Sequence, residues 1–505
     1  MRRSEFWLCL FAVALATSCD APGTSLSNAG QRKPPPGELI PANVVLAAQR
    51  ERQFLGPERL TPQEAAIVER LAAYLKTHDI EKRTALAATI AQMPSYQPEQ
   101  LSNWLHLARA RSPENHQRCG EVTTQKVTVD KVPTDAQVTR SLAVRLPKAY
   151  TSKRPWPMIL CFHPTGCNGA MIINLIRDCL GDQAESYILA GPDDYRPLNI
   201  DSRRCISQEP LILLTHLRRT YHVDADRIYA VGYSQGGYAA WSMATFYGDQ
   251  LAGAIPIAAS FDAAPELPGL WETLLPNVRL LPILTCWGTR DAVPVLGFDL
   301  RTPQGSIDTL NERLLKLTSE LKLNVSHWRV TNGGHSLEVP SEEALKLLQV
   351  RRNSNPAQTQ HRFRHQHQGS AAWLQGLAWA GPHWEEAQRS FAAEPGESSA
   401  QTLARGIRAR LALLEGVAVN NRFTLRYERQ GRVALWLHDG LIDWSKPIQV
   451  TAQGRPGFEG TLTRDLDLCL EEARSSGDFD RLRWARLVFD QSGQLEKKLC
   501  KPRID

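Results

Sequence analysis

The strongest constraint on the fold is a series of short, strand-like and mostly apolar segments between residues 119 and 350. These segments lie at residues 127–129, 138–146, 158–162, 187–190, 228–231, 254–258, 283–287 and 326–330. Longer segments between them, such as residues 209–220 and 238–246, carry apolar residues at helical spacing. Continuous apolar strands that alternate with helices predict an α/β fold, with a mostly parallel sheet covered by helices on both faces.

The chain of 505 residues is long enough for about three domains. Before the α/β region, Pro62 after Thr61 and a helical spacing of apolar residues predict a small helical region that serves as packing or as a lid. After residue 422, apolar and polar residues alternate as in strands. The predicted divisions are a signal peptide at 1–18, a tether at 19–56, a helical region at 57–115, an α/β domain at 119–350, a linker and helical segment at 351–415 and a small β-rich domain at 416–505.

Residues 351–368 are polar and basic, and they include His361, His365 and His367. A metal-binding cluster is one interpretation, but no carboxylate or cysteine completes a ligand set. A solvated linker is therefore preferred. Residues 373–410 that follow are predicted to be helical.

Composition excludes several classes of protein. Hydrophobic residues make up 42% and charged residues 22% of the chain, which excludes wholesale disorder. The net charge of +6 comes without a lysine or arginine run interleaved with aromatics, so no nucleic-acid partner is expected. Strongly apolar sequence is confined to the N-terminus, which excludes a protein with several membrane spans.

The N-terminal residues have the layout of a secretory signal. A basic lead precedes an apolar run at residues 6–16, which is too short to span a bilayer of about 30 Å as a helix. Residues 16–19 resemble a bacterial lipoprotein cleavage box, which predicts a lipidated Cys19 and a membrane tether. The alternative is cleavage near Ala14 or Ala16, with Cys19 as an ordinary thiol. Export is expected either way, to the periplasm or cell surface as an anchored lipoprotein, or otherwise as a secreted protein.

Export makes disulfide bonds an expectation, because the eight cysteines that remain after Cys9 in the signal and Cys19 at the cleavage site are even in number. Cys167, Cys179 and Cys205 lie close in sequence, and Cys469 and Cys500 share the C-terminal region. One or two bridges are expected, with the pairing left open. No pair has C-x-x-C spacing, so neither a zinc site nor a thioredoxin-like site is predicted.

Residues 232–236 read G-Y-S-Q-G and match the G-x-S-x-G pattern around Ser234. The match alone is weak in a chain with 33 glycines, but a strand directly before it and a helix directly after it make the context specific. The glycines allow strand and helix to approach on a tight turn. The helix N-terminus supplies partial positive charge where an oxyanion would form. We therefore predict that Ser234 is a nucleophile.

A serine nucleophile needs a histidine that removes its proton and a carboxylate that holds the histidine. In this scaffold the partners are expected in the order acid, then histidine, each after a later strand. Asp291 follows one apolar strand, and His335 follows the next in a glycine-containing loop. Asp262 is the alternative acid. Three other histidines are less suitable because they precede the serine or lie inside a strand; they are His216, His222 and His327.

The segment H-P-T-G at residues 163–166 follows the apolar strand at 158–162. Its position predicts the second part of an oxyanion hole. Backbone amides near Thr165 and Gly166 would join the amide of Gln235. The histidine of this segment is interpreted as structural.

Residues 119–350 resemble the α/β-hydrolases, on the motifs G-Y-S-Q-G-G, H-P-T-G, G-T-R-D-A-V-P-V and G-G-H. The resemblance is to secreted esterases and to polyhydroxybutyrate-depolymerase-like, feruloyl-esterase-like and dienelactone-hydrolase-like enzymes, with prolyl-oligopeptidase catalytic domains as more distant relatives. It covers less than half of the chain, and it implies a serine hydrolase with neither a metal nor an organic cofactor. The oxyanion segment departs from the commoner H-G-G form, which leaves the donating amide open.

The leading interpretation is an exported enzyme that cleaves small or polymeric carboxylic esters through an acyl-enzyme. A serine peptidase of prolyl-oligopeptidase type is the first alternative, although no propeller repeat is evident. A non-catalytic surface-binding lipoprotein is the second. Its binding face would use three aromatic residues of the C-terminal region, Trp436, Trp444 and Trp484. Packing in a core is the favoured role for these residues.

Overall fold

The computed structural model describes residues 37–40, 60–110, 118–130, 137–193, 209–261, 269–291, 306–382 and 391–499. The predicted signal peptide, the lipidation site at Cys19 and the alternative acid Asp262 lie outside these residues, as do Cys205 and Cys500. Within the described ranges, no helix combines the length and the hydrophobicity that a membrane crossing requires.

A nine-stranded sheet is the largest element of the structure. Its strands are β1 (Gly37–Ile40), β2 (Val122–Asp130), β3 (Gln137–Arg145), β4 (Trp156–Phe162), β5 (Ile188–Pro192), β6 (Val223–Tyr233), β7 (Gly253–Ile257), β8 (Ile283–Gly288) and β9 (Val325–Val330). They lie in the order β1-β9-β8-β7-β6-β4-β5-β3-β2. Neighbours from β9 through β5 run parallel, whereas β1, β3 and β2 pair antiparallel at the edges. The prediction of a mostly parallel sheet is confirmed.

Eleven α-helices are found in the described part of the chain. They are α1 (Pro62–Lys76), α2 (Ile80–Ala91), α3 (Leu101–Ala110), α4 (Gly169–Leu180), α5 (Glu209–Thr220), α6 (Gln235–Tyr247), α7 (Leu270–Leu274), α8 (Ile307–Glu320), α9 (Ser341–Leu347), α10 (Ser399–Arg410) and α11 (Leu466–Ser476). Every residue of β4, β5, β7 and β8 is buried. Side chains alternate between two apolar cores, with Met158 and Leu160 on one face of β4 and Ile159 and Cys161 on the other. Burial on both faces explains why these strands are continuously apolar.

The N-terminal helices form a third core together with the C-terminal helix α11. Thr61 caps α1 and exchanges hydrogen bonds with Glu64, and Pro62 occupies the first helical turn, as the sequence predicts. Ile67 and Leu71 of α1 pack in the same cluster as Leu470 of α11. The contacts support the packing interpretation of this region.

The C-terminal strands form a sandwich of two five-stranded sheets. The strands are β10 (Gln358–Phe363), β11 (Ser370–Ala371), β12 (Leu374–Trp379), β13 (Ala412–Val419), β14 (Arg422–Glu428), β15 (Gln430–Leu437), β16 (Ile448–Ala452), β17 (Arg455–Gly460), β18 (Ala485–Asp490) and β19 (Leu495–Leu499). One sheet has the order β10-β13-β14-β16-β17 and the other β11-β12-β15-β18-β19. Leu414 and Phe423 of the first sheet share a core with Leu435 and Phe489 of the second.

Two predictions for residues 351–410, which include the first strands of this sandwich, are wrong. The segment interpreted as a solvated linker contains β10, which pairs with β13, and His361 and His365 are buried there. The segment predicted as helical, residues 373–410, contains β12, and among its described residues only the final part forms the helix α10. The tether prediction also needs correction, because β1 pairs with β9 in the large sheet.

The tryptophans considered for a binding face are mostly internal. Trp436 and Trp484 are fully buried, and Trp444 is partly buried against the sandwich core. Core packing is therefore confirmed for Trp436 and Trp484.

A buried chain of polar groups joins three parts of the molecule. His106 of α3 lies 2.9 Å from Asp480 in the C-terminal region and 2.9 Å from His222, which precedes β6. The other ring nitrogen of His222 lies 2.6 Å from the carbonyl oxygen of Ser152. Burial and the neighbouring His106 lower the pKa of His222 to about 3. The helical region and the sandwich thus meet the large sheet through specific contacts.

Candidate active site

The nucleophile candidate Ser234 lies on a sharp turn between β6 and α6. Its φ of 57° and ψ of −119° are uncommon for a residue with a side chain. Its amide donates to the carbonyl oxygen of Ile257 in β7 at 2.8 Å, which secures the turn against the next strand. Such a turn raises the side chain above the end of the sheet.

The glycines beside Ser234 are required by close packing. A Cβ added at Gly232 would lie 2.0 Å from the carbonyl oxygen of Gly236. One added at Gly236 would lie 1.9 Å from the carbonyl oxygen of Phe162 in β4. Only hydrogen fits at these positions, so the helix can begin directly against the sheet.

The acid candidate Asp291 lies just after β8 and is buried. The amide of the preceding residue, Arg290, donates to the carbonyl oxygen of Gly333 at 2.8 Å. A Cβ at Gly288 would lie 2.3 Å from the same carbonyl oxygen. The loop after β8 and the loop after β9 are therefore in direct contact, which brings the acid close to the histidine.

The structure brings Ser234, His335 and Asp291 together. Nδ1 of His335 lies 2.9 Å and 3.1 Å from the two carboxylate oxygens of Asp291. A carboxylate can only accept, so Nδ1 carries the proton and Nε2 is left as an acceptor. Nε2 lies 2.8 Å from Oγ of Ser234, whose hydroxyl therefore donates to it. The side chain of His335 remains 15% exposed, so a substrate can reach this end of the arrangement.

The other candidate histidines lie elsewhere. His327 is buried in β9 with Nε2 2.9 Å from the hydroxyl of Thr318, and burial lowers its pKa to about 4. His222 belongs to the buried chain of polar groups described above. His216 bonds within α5 to Thr220. None of these three shares a hydrogen bond with Ser234.

The predicted oxyanion segment follows β4, whose neighbour in the sheet is β6. The hydroxyl of Thr165 donates to the side-chain oxygen of Gln235 at 2.9 Å, which links this segment to the first residue of α6. Gly166 has a φ of 80°, a backbone conformation that suits glycine. The amides of Thr165, Gly166 and Gln235 thus belong to two segments held side by side.

His163 supports the oxyanion segment from inside. Its ring lies between two backbone carbonyl oxygens, 2.8 Å from that of Pro164 and 3.1 Å from that of Asp193 after β5. The carboxylate of Asp193 also accepts the amide of Gly169 at 2.8 Å. These contacts agree with the structural role interpreted from the sequence.

One residue that contacts the site, Tyr233, could not be predicted from the sequence. Tyr233 directly precedes the nucleophile, and its hydroxyl donates to the backbone carbonyl of His335 at 2.9 Å. Its ring faces the imidazole at 5.4 Å between centroids. The variable position of G-x-S-x-G gives no signal for this contact, because the contact depends on a loop far along the chain.

The sheet order explains why these groups meet. The chain passes from β4 to β5 on one side and then returns to β6 on the other, so a crevice opens beyond the carboxyl ends of β4 and β6. The oxyanion segment and Ser234 follow these two strands, and Asp291 and His335 follow β8 and β9. Nucleophile, acid and histidine come in that order along the chain. Residues 122–350 have an α/β-hydrolase fold.

Solved structures that resemble this chain include an esterase and two hydrolases. A thermostable esterase matches with 17% identity and a TM-score of 0.34, and the match covers 45% of this chain and 63% of the esterase. An S-formylglutathione hydrolase from Agrobacterium tumefaciens matches with 13% identity and a TM-score of 0.34, over 47% of this chain and 97% of that protein. Poly(aspartic acid) hydrolase-1 from Sphingomonas sp. KT-1 matches with 16% identity and a TM-score of 0.34, over 45% and 98%. No protein-family model and no curated protein matches the chain. The α/β-hydrolase assignment therefore rests on sheet order and site geometry.

Proposed function

We propose that the protein is a serine hydrolase that cleaves carboxylic esters through an acyl-enzyme. The observation that carries the proposal is the hydrogen-bonded series from Asp291 through His335 to Ser234, with contacts of 2.9 Å and 2.8 Å. The choice of esters rests on the resemblance of the sequence motifs to secreted esterases. A peptidase would use the same three residues, so the substrate class is decided by assay.

In the proposed reaction Ser234 Oγ attacks the ester carbonyl carbon while its proton moves to Nε2 of His335. Asp291 keeps the other proton on Nδ1 and stabilises the imidazolium that forms. The imidazolium then gives its proton to the leaving alcohol, and the acyl group stays on Ser234. A water molecule repeats these steps, with His335 as its base, and releases the acid.

The negative charge on the substrate oxygen needs donors at fixed positions. The amide of Gln235 begins α6, where backbone N–H groups lack partners in the preceding turn and the helix dipole is positive. An amide from Thr165 or Gly166 would supply the second donor. Because both segments are already held together by the hydrogen bond between Thr165 and Gln235, they need little rearrangement as charge develops.

Hydrolysis of activated esters by purified protein tests the proposal. Wild type is expected to turn over chromogenic acetyl, longer-acyl and feruloyl esters, and Ser234→Ala is expected to lose at least about 10³-fold in kcat/KM. Ser242→Ala, a buried serine on the same helix, is the matched control and should keep full activity. Equal ester turnover by Ser234→Ala would refute the nucleophile assignment. Cleavage of a proline-containing peptide but of no ester would favour the peptidase alternative.

We also propose that the protein is exported and anchored by a lipid on Cys19. Support comes from the basic lead, the apolar run and the small residues before the cysteine. Metabolic labelling with a clickable fatty acid tests this, and label is expected on wild type but not on Cys19→Ala. Equal labelling of both proteins would contradict it.

A further inference from the structure

We propose that Tyr233 is a positioning residue for the general base. Its hydroxyl holds the backbone of His335 in place, and its ring stabilises the imidazolium that forms during the reaction. This inference rests on the proposed serine hydrolase function, because it concerns how the same histidine works. Tyr233 is the last residue of β6 and is covalently joined to the nucleophile Ser234.

The hydroxyl of Tyr233 reaches the main chain of the base. Its Oη lies 2.9 Å from the carbonyl oxygen of His335, and the phenol must be the donor because a carbonyl only accepts. Tyr233 itself is held firmly, since it ends a central strand and the next amide in the chain, that of Ser234, is bonded to β7. The hydrogen bond therefore fixes the backbone of His335 relative to the turn that carries Ser234.

The loop that carries His335 has need of such an anchor. Residues 331–340 lie between β9 and α9 and contain neither helix nor strand. Their early part is attached to the acid loop, where the amide of Asn332 donates to the hydroxyl of Thr289 at 2.8 Å. His335 comes after that attachment, and its carbonyl is held from the side of the nucleophile. A base that is misplaced by about 1 Å can lose about 10²-fold in rate.

The ring of Tyr233 has a second, separable effect. Its centroid lies 5.4 Å from that of the His335 imidazole, with an angle of 34° between the planes. The imidazole becomes a cation when it takes the serine proton, and a cation within about 6 Å of an aromatic centroid is attracted to the ring. The neutral imidazole of the resting enzyme gains less from this contact, so the ring favours the transition state over the ground state.

Two substitutions separate the two effects. Tyr233→Phe removes the hydroxyl and keeps the ring, whereas Tyr233→Leu removes both. Tyr229→Phe is the matched control, because Tyr229 lies on the same strand and donates an equivalent hydrogen bond to the carbonyl oxygen of Val350 at 2.7 Å. Each purified variant is assayed for kcat and KM on an activated ester as a function of pH, for the rate of inactivation by a fluorophosphonate, and for its melting temperature.

Tyr233→Phe is expected to lower kcat and the inactivation rate about three- to tenfold with little change in KM, as befits one neutral hydrogen bond. Tyr233→Leu is expected to lower kcat further and to move the acidic limb of the kcat/KM profile to lower pH, because the cationic form loses the ring. Tyr229→Phe should lose a similar amount of melting temperature and keep the wild-type kcat and pH profile.

Wild-type kcat in Tyr233→Phe together with an unmoved pH profile in Tyr233→Leu would overturn the inference. A kcat loss in Tyr229→Phe equal to that in Tyr233→Phe would also overturn it, since general destabilisation would then explain both. If wild type neither hydrolyses esters nor reacts with the fluorophosphonate, the proposed function itself fails. If wild type reacts and Tyr233→Phe reacts equally fast, only the positioning role of the Tyr233 hydroxyl is refuted.

Discussion

Asp291 is buried behind His335, and its influence on Ser234 passes through the imidazole. Two short contacts from its carboxylate to Nδ1 leave one tautomer of His335, the one whose Nε2 can accept a proton. Removing the charge while keeping the shape of this side chain therefore tests whether the tautomer matters.

Asp291→Asn is expected to lower kcat by about 10³- to 10⁴-fold, because an amide can donate to Nδ1 and so select the unproductive tautomer. Asp308→Asn is the control. The carboxylate of Asp308 accepts from the indole of Trp287 at 2.8 Å and has no contact with the imidazole. Steady-state kinetics on one activated ester check both variants, and a loss in Asp291→Asn of less than about tenfold would contradict the role given to Asp291.

The pH dependence of turnover follows from the same proton. His335 must be neutral to accept the proton of Ser234, so kcat/KM is expected to fall on acidification. The base is charged, and thus inactive, on the acidic side. Initial rates on a substrate that hydrolyses slowly by itself between pH 5 and 9 check the direction. A profile that rises toward acid would contradict a neutral imidazole base.

The convergence of Ser234, Asp291 and His335 could be predicted from sequence because each follows its own apolar strand in the expected order. Tyr233 could not, although it lies beside the nucleophile in the motif. Its partner is the carbonyl of His335, and the two are neighbours only because β6 and the loop after β9 converge at the same end of the sheet. The local sequence pattern identifies side chains that are themselves reactive. A hydroxyl that donates to a distant backbone carbonyl is not identified in this way, because the contact depends on the tertiary structure.

At the scale of elements, the site depends on how closely α6 approaches β4. Gly236 lies in the first turn of that helix, and the carbonyl oxygen of Phe162 occupies the space that a side chain at Gly236 would need. The predicted oxyanion segment starts right after Phe162, so separation of helix and strand would displace both groups of proposed donors at once.

Gly236→Ala is expected to abolish measurable esterase activity and to lower the melting temperature, because its Cβ would lie 1.9 Å from a backbone oxygen. Gly248→Ala at the other end of the helix is the control, since its Cβ would meet only Leu281 at 3.7 Å. Thermal unfolding and ester hydrolysis of both variants check the expectation. Wild-type activity in Gly236→Ala would show that the helix does not need this approach.

The wrong prediction for residues 351–368 also belongs to this scale. In β10 the inward positions are Thr359, His361 and Phe363, and these alternate with exposed or half-buried polar residues. Two of the three inward side chains are polar, and His361 is buried with Nε2 2.7 Å from the carbonyl oxygen of Gln368. Buried polar residues whose hydrogen-bond partners come from the folded structure hide the alternation of apolar and polar residues in a strand. The sequence pattern is therefore typical of a solvated linker, although the segment contains a strand.

At the scale of the whole molecule, buried ion pairs join the α/β-hydrolase domain to the C-terminal sandwich. Arg352 lies 2.9 Å from Asp478 and 2.9 Å from Asp226, and all three side chains are largely removed from solvent. Burial opposes the charge on Asp478, but Arg352, Arg218 and Arg481 outweigh it and hold the pKa of Asp478 far below its usual range. The domains should therefore unfold together.

Asp478→Asn is expected to destabilise the protein by about 3–5 kcal/mol, because it leaves the Arg352 guanidinium buried without full compensation. Glu342→Gln, which breaks the exposed pair with Lys346, is the control and should leave the melting temperature unchanged. Calorimetry of the full chain checks both variants. Unfolding of the wild type in two independent transitions would contradict the coupling.

The sign of the pH effect at this junction is fixed by the direction of that shift. A carboxylate whose pKa is lowered by folding stabilises the native state above the unfolded pKa of about 3.9, and this stability is lost as the pH falls below that value. Wild type is therefore expected to lose stability on strong acidification more steeply than Asp478→Asn. Denaturant titrations at pH 7, 5 and 3 measure the difference, and parallel curves would contradict it.

The most direct measurement for the whole molecule is covalent modification by a fluorophosphonate, followed by peptide mapping with mass spectrometry. Attack by an activated serine is expected to place one phosphonyl group on each chain, on Ser234, with none on Ser234→Ala and a strongly reduced rate on His335→Ala. An unmodified Ser234 under conditions that saturate serine hydrolases, or a phosphonyl group on another residue, would contradict the central claim.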